Sequence, residues 1–126
     1  MASGRMIRAL LVPVHPSAPA LVGWIDAGFP EYRDAVGAMV EGLSTVLQYD
    51  SDALIFINDS SLINGMDVNL RVTSYVFEYS EAARNGRTRE CHPGTEDVRG
   101  PVVMLGAALT DVPQHLVDHF AAREVT

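Results

Sequence analysis

The sequence predicts an α+β fold, a single domain with a mixed, largely antiparallel sheet and two or three helices packed on it. Three observations carry this prediction. Strand-like apolar runs and amphipathic stretches follow one another in the order β, β, α, β, β, α, β, α, which implies helices laid over a mostly antiparallel or mixed sheet. Two of the apolar runs, 43–49 and 53–58, are separated only by the polar turn Asp50-Ser51-Asp52, which marks a hairpin. Finally, 126 residues with 48% hydrophobic side chains suffice for one buried core and leave no room for two domains. No repeat, low-complexity tract or linker divides residues 1–126.

After a flexible lead-in over residues 1–5, residues 6–14 (MIRALLVPV) form a near-continuous apolar run. It stops at Pro13, His15 and Pro16, as expected of a central strand. Residues 20–25 (ALVGWI) give a second short strand with Trp24 half buried, and Gly28 and Pro30 break the chain after it. From Pro30 to Glu41 the positions Tyr32, Val36, Met39, Val40 and Leu43 keep the spacing of an amphipathic helix. Pro30 suits its first turn, Glu31 and Asp34 suit the positive end of its dipole, and Gly42 suits a C-terminal cap. The hairpin comes next, then turn signals at 58–61 and at Asn64-Gly65 on either side of Leu62-Ile63.

Over 67–83 the spacing of Val68, Val72, Tyr75, Val76 and Tyr79 predicts a helix with Asp67 as its N-cap, although the composition (RVTSYVFEY) favours a strand. Residues 80–100 offer only Cys91 and Val98 for burial and read as a mobile polar loop. A buried strand returns at 101–105 (PVVML). A final helix over 112–124, capped by Thr110 or Asp111, would bury Val112, Leu116 and Phe120.

The net charge of −7 is concentrated. Residues 26–67 carry eight acids (Asp26, Glu31, Asp34, Glu41, Asp50, Asp52, Asp59, Asp67) against Arg33 alone, while the remainder balances eight acids with eight arginines. Such a segment disfavours nonspecific nucleic-acid binding, because phosphates need clustered positive charge; a basic partner or plain solubility fits it better. No apolar run approaches the roughly 20 residues of a membrane span. The single cysteine, Cys91, forms no internal disulfide and points to reducing cytoplasm. Nine arginines and no lysine reflect a GC-rich genome more readily than a chemistry.

An opening strand of the form ALLVPV, a hairpin reaching Ile57-Asn58-Asp59, a Gly65 followed by Asn69-Leu70-Arg71-Val72-Thr73, and a late Gly100-Pro101-Val102-Val103-Met104-Leu105-Gly106 occur in this order. In these residues, from about Met6 to Gly106, the chain resembles domain-of-unknown-function 3846, a family of actinobacteria, other bacteria and their phages. The resemblance implies a phage or mobile-element accessory gene and a recurrent N-x-R-x-T pattern at Asn69, Arg71 and Thr73. It carries over no activity or catalytic set. The polar stretch 80–100 and the final helix depart from the family.

His115 and His119, four apart on the last predicted helix, would put two imidazoles on one face. Two ligands do not make a metal site, and the third would have to be Asp111 or His92, so no metal is assigned. Cys91-His92 pairs a thiol with a base, but sequence neighbours in an extended loop point apart. No catalytic residue is assigned either. Neither G-x-G-x-x-G nor G-x-x-x-x-G-K-[ST] occurs, so no cofactor is expected.

The ligand-binding candidates are Asn69, Arg71, Thr73, Arg84, Arg87, Arg89 and Arg99, because guanidinium groups hold phosphate and carboxylate through paired hydrogen bonds. Glu81, Glu90, Glu96 and Asp97 could neutralise the same arginines. In a strand, Asn69, Arg71 and Thr73 would share one face; in a helix they spread around it.

The function expected from these features is that of a small cytoplasmic accessory protein, phage-derived or phage-like and so resident in the host cytoplasm. It would act by binding a host protein or a small anionic, phosphorylated ligand. The alternatives are sequestration of a signalling nucleotide and a small hydrolase using His115, His119 and Asp111. Self-association through exposed strand edges into a homodimer stays open.

Overall fold

Alternation of apolar side chains along β1 (Met6–Val12) fixes the whole architecture. Ile7 and Ala9 are buried toward one face of the sheet, and Leu10 and Val12 toward the other, so this strand needs cover on both sides. The computed structural model describes residues 5–47, 53–83 and 97–124. In it six strands form one sheet in the order β3-β4-β5-β1-β2-β6, with β2 at Leu21–Asp26, β3 at Ser44–Leu47, β4 at Ala53–Asn58, β5 at Val102–Gly106 and β6 at Arg123–Glu124. All neighbours are antiparallel except β2 and β6, which pair in parallel. This is the α+β domain with a mixed, largely antiparallel sheet that the sequence predicts.

Helix α1 (Glu31–Val40) covers one face, setting Val36 and Val40 on Ile7, Ala9, Ile25, Phe56, Val103 and Leu105. Helices α2 (Leu70–Ala83) and α3 (Gln114–His119) cover the other. There Val72, Val76, Leu116 and Val117 meet Leu10, Val12, Val22, Ile55 and Met104. β5 is buried at every residue because it lies mid-sheet between the two layers.

The helical spacing of Val72, Tyr75 and Val76 wins over their strand-favouring composition, since all three are buried against the sheet. The N-cap of α2 is not Asp67 but Asn69, whose Oδ1 accepts from the Val72 N–H at 3.3 Å and whose carbonyl accepts from the Thr73 N–H. Trp24, predicted half buried, is 58% exposed near the end of β2.

The last helix is shorter than the predicted 112–124. Asp111 and Val112 run alongside β1, with Arg8 N–H donating to Asp111 Oδ1 and Val112 N–H to the Arg8 carbonyl. Neither Thr110 nor Asp111 caps α3; Pro113 precedes it in an extended conformation and makes no side-chain cap bond. Ala121 turns left-handed at φ 51° and releases the chain into β6, where Arg123 N–H reaches the Ala20 carbonyl. Within the polar stretch 80–100, α2 runs to Ala83, as the predicted helix over 67–83 does, and buried Val98 binds Thr73; residues 84–96 lie outside the described residues. The turn Asp50-Ser51-Asp52, and Arg84, Arg87, Arg89, Cys91 and His92, lie outside the described residues.

The end of α1 also differs from the prediction. Gly42 N–H closes back on the Gly37 carbonyl at 2.9 Å, and the left-handed position before it, at φ 68°, is held by Glu41 rather than by glycine. A side chain there costs about 1 kcal/mol. Glu41→Gly is therefore expected to stabilise the fold by roughly 0.5–1 kcal/mol, seen as a melting temperature a few degrees higher in a calorimetric scan. A lower melting temperature would contradict the strain argument.

Candidate functional site

The polar pattern Asn69, Arg71, Thr73 divides once α2 is a helix. Asn69 is fully buried, and its Nδ2 donates to the carbonyls of Val12 at 2.9 Å, Gly100 at 3.0 Å and Pro13 at 3.3 Å. Thr73 Oγ1 accepts from the Val98 N–H at 2.9 Å and lies 3.3 Å from the Val98 carbonyl. Both residues are spent on backbone. Arg71 is half buried: its Nη2 donates to the carbonyls of Pro13 at 2.7 Å and His15 at 3.1 Å, tying down the loop after β1. Its Nε is buried and has no acceptor among the described residues.

Arg71 also lines a groove of about 390 Å³ between the first turns of α2 and the end of α3, together with Leu70, Ser74, His119, Phe120 and Ala121. That volume lies in the range of small-molecule sites, about 300–1,000 Å³. Arg71 and Ser74 are three apart on α2, so they share a side of the helix. The His119 ring packs edge-on to Tyr75, centroids 5.1 Å apart, and to Phe120, 4.7 Å apart. Tyr75 and Phe120 are themselves buried in the core, and this contact fixes the imidazole at the rim. Leu70, 59% exposed, supplies an apolar wall.

The groove thus combines a permanent cation, an imidazole, a hydroxyl and apolar surface. Such a set can hold an anionic group by charge-assisted hydrogen bonds and its apolar body by contact.

Among the other candidates, Arg99 donates from Nη1 to the Met66 carbonyl at 3.1 Å and sits 4.0 Å from Asp97 Oδ2, and it does not line the groove. Asp111 is bound to the Arg8 amide and is likewise not part of it. Among the described residues no group of three or more His, Cys, Asp or Glu could hold a metal ion, and no helix is long and apolar enough to cross a membrane. Leu70, Ser74 and Phe120 were not candidates from sequence. Ser74 becomes visible once the helix is assigned and its position is counted from Arg71. No family model matches the chain, and no match was found among curated proteins or solved structures.

Proposed function

We propose that this protein is a small cytoplasmic binding protein whose ligand carries an anionic group on an apolar or aromatic body and docks in the groove between α2 and α3. The observation that supports this reading is the convergence of Arg71 and His119 with Ser74 on one groove of ligand size. Arg71 is the anion's partner, because a guanidinium keeps its charge at every working pH; with Nη2 held by the Pro13 and His15 carbonyls and Nε buried, Nη1 is the donor left for the anion. His119 and Ser74 add directional hydrogen bonds, and Leu70 and Phe120 accept the apolar part. The cytoplasmic setting rests on the single cysteine of the sequence.

Thermal unfolding against inorganic phosphate, phenyl phosphate, adenosine monophosphate, benzoate and uncharged adenosine tests this. A ligand at about one hundred times its Kd stabilises by about 2.7 kcal/mol, which for a domain of this size raises the melting temperature by roughly 10 °C. The shift is expected with the aromatic anions and not with adenosine, and it should disappear in the double variant Ser74→Ala, His119→Ala and in Arg71→Met. If no anion shifts the transition, or if the shift survives in all three substitutions combined, the groove is not the site.

A further inference from the structure

The two edges of the sheet are built differently. β6 is two residues long and carries the exposed side chains of Arg123 and Glu124, with Glu124 ion-paired to Arg8; short, charged strands of this kind block further pairing. β3, at the other edge, has the sequence Ser-Thr-Val-Leu, with no charge and no proline. Among the described residues it pairs only with β4.

Its outward groups can be assigned from the register. The Leu43 carbonyl accepts from the Asp59 N–H at 2.7 Å, and Thr45 faces Ile57 two residues on. In an antiparallel ladder the bonded pairs alternate, so the N–H and C=O of Ser44 and Val46 point away from β4. Beside this edge, between β3 and α1, lies a cleft of about 400 Å³ whose walls include Phe29, Gly37, Leu43 and Ser44. Phe29 is 65% and Leu43 75% exposed, so a large apolar surface stands next to backbone donors and acceptors that have no partner among the described residues.

The charge around the cleft selects the partner. Arg33 and Asp34 both line it, and Glu41 and Asp59 adjoin Gly42 and Leu43 in the chain and the ladder; all four are exposed, so three acids stand against one base. We infer that β3 takes up an additional strand from a partner protein, an extended basic segment that pairs with Ser44 and Val46 and places an apolar side chain in the cleft. Main-chain bonds to the edge supply affinity, and the cleft with its acids supplies selectivity. A second copy of this chain is a poor occupant, because its residues 26–67 carry eight acids against one arginine and offer the cleft no basic strand. The inference does not depend on the α2–α3 groove.

Fluorescence anisotropy of the full chain with a labelled Lys-Val-Lys-Val-Thr-Val-Lys peptide tests it, with Glu-Val-Glu-Val-Thr-Val-Glu as the control. The basic peptide is expected to bind, more weakly as salt rises from about 50 to about 500 mM, and the acidic one is not. Val46→Pro removes one outward N–H without touching the β3–β4 ladder and is expected to weaken binding about tenfold. Asp34→Lys with Asp59→Lys should weaken it comparably while keeping the edge, and this decides the matter if the proline variant unfolds. Equal binding of both peptides, no binding of the basic one, undiminished binding by folded variants, or a concentration-dependent dimer abolished by Val46→Pro would each overturn the inference.

Discussion

Asn69→Ala is expected to cost about 3–5 kcal/mol of folding stability, the largest loss of any single side-chain truncation proposed for this chain. The amide group is fully buried and satisfies four backbone groups at once: the carbonyls of Val12, Pro13 and Gly100 and the N–H of Val72. Removing it leaves the carbonyls of Val12 and Gly100, from two separate segments, without that donor and the Pro13 carbonyl with Arg71 alone. Each unsatisfied buried group costs about 1–3 kcal/mol, and partial hydration of the Pro13 carbonyl, which Arg71 also holds, keeps the sum below the simple total. Asn69→Asp preserves the shape and the acceptor for Val72 but turns an oxygen toward the three carbonyls, so its loss is expected to be at least as large. Urea unfolding of both variants measures this, and the midpoint should fall with little change in slope. A loss under about 1 kcal/mol in Asn69→Ala would mean that water replaces the amide, and that the start of α2 is held by packing alone.

That clamp also bears on the binding site. Arg71 and Ser74 are positioned by the first turn of α2, and Asn69 is what ties that turn to the end of β1 and to Gly100. From sequence, Asn69 is a ligand-contact candidate because it alternates with Arg71 and Thr73, which in a strand would put all three on one face. Its depth came from the packing of three distant segments, which no local pattern encodes.

The parts of the fold that were legible in the sequence are those where burial imposes a period. β1 reads as continuously apolar because both its faces are covered, and α1 reads as a stripe because one of its sides is. The end of the chain misled for a definite reason. Val112, Leu116 and Phe120 keep helical spacing and all three are buried, yet Val112 lies beside β1 and only Leu116 belongs to α3. Pro113 and the left-handed Ala121 cut the segment at both ends. The groove is half legible in the sequence: Arg71 stands among the ligand-binding candidates, whereas His119 enters only as half of a histidine pair to which no metal is assigned. Nothing in the sequence joins two residues that meet only because α2 and α3 pack on the same face of the sheet.

Asn58→Asp is expected to cost about 2–4 kcal/mol, for a related reason at the opposite layer. Asn58 and Asn69 are the two buried polar side chains among the described residues, and each joins a helix end to a strand end. Asn58 closes β4, donates from Nδ2 to the carbonyls of Val40 at 3.0 Å and Glu41 at 3.1 Å, and accepts the Ser60 N–H on Oδ1 at 2.8 Å. The substitution keeps the acceptor for Ser60 and the volume. It deletes both donors and sets a negative charge at the C-terminal end of the α1 dipole, where anions are disfavoured. Asn58→Ala removes the charge effect together with the Ser60 acceptor and the side-chain volume, so a larger loss in Asn58→Asp than in Asn58→Ala sets a lower bound on the dipole effect. Because Asn58 holds the same carbonyl that the left-handed Glu41 presents, Glu41→Gly should offset part of the loss non-additively, and a double-mutant cycle by urea unfolding measures that coupling. Strict additivity, or a loss of about 1 kcal/mol or less in Asn58→Asp, would mean that the bond from Gly42 N–H to the Gly37 carbonyl closes α1 without help from β4. In that case Gly42, Leu43 and Ser44 would keep the wall of the β3 cleft in place on their own.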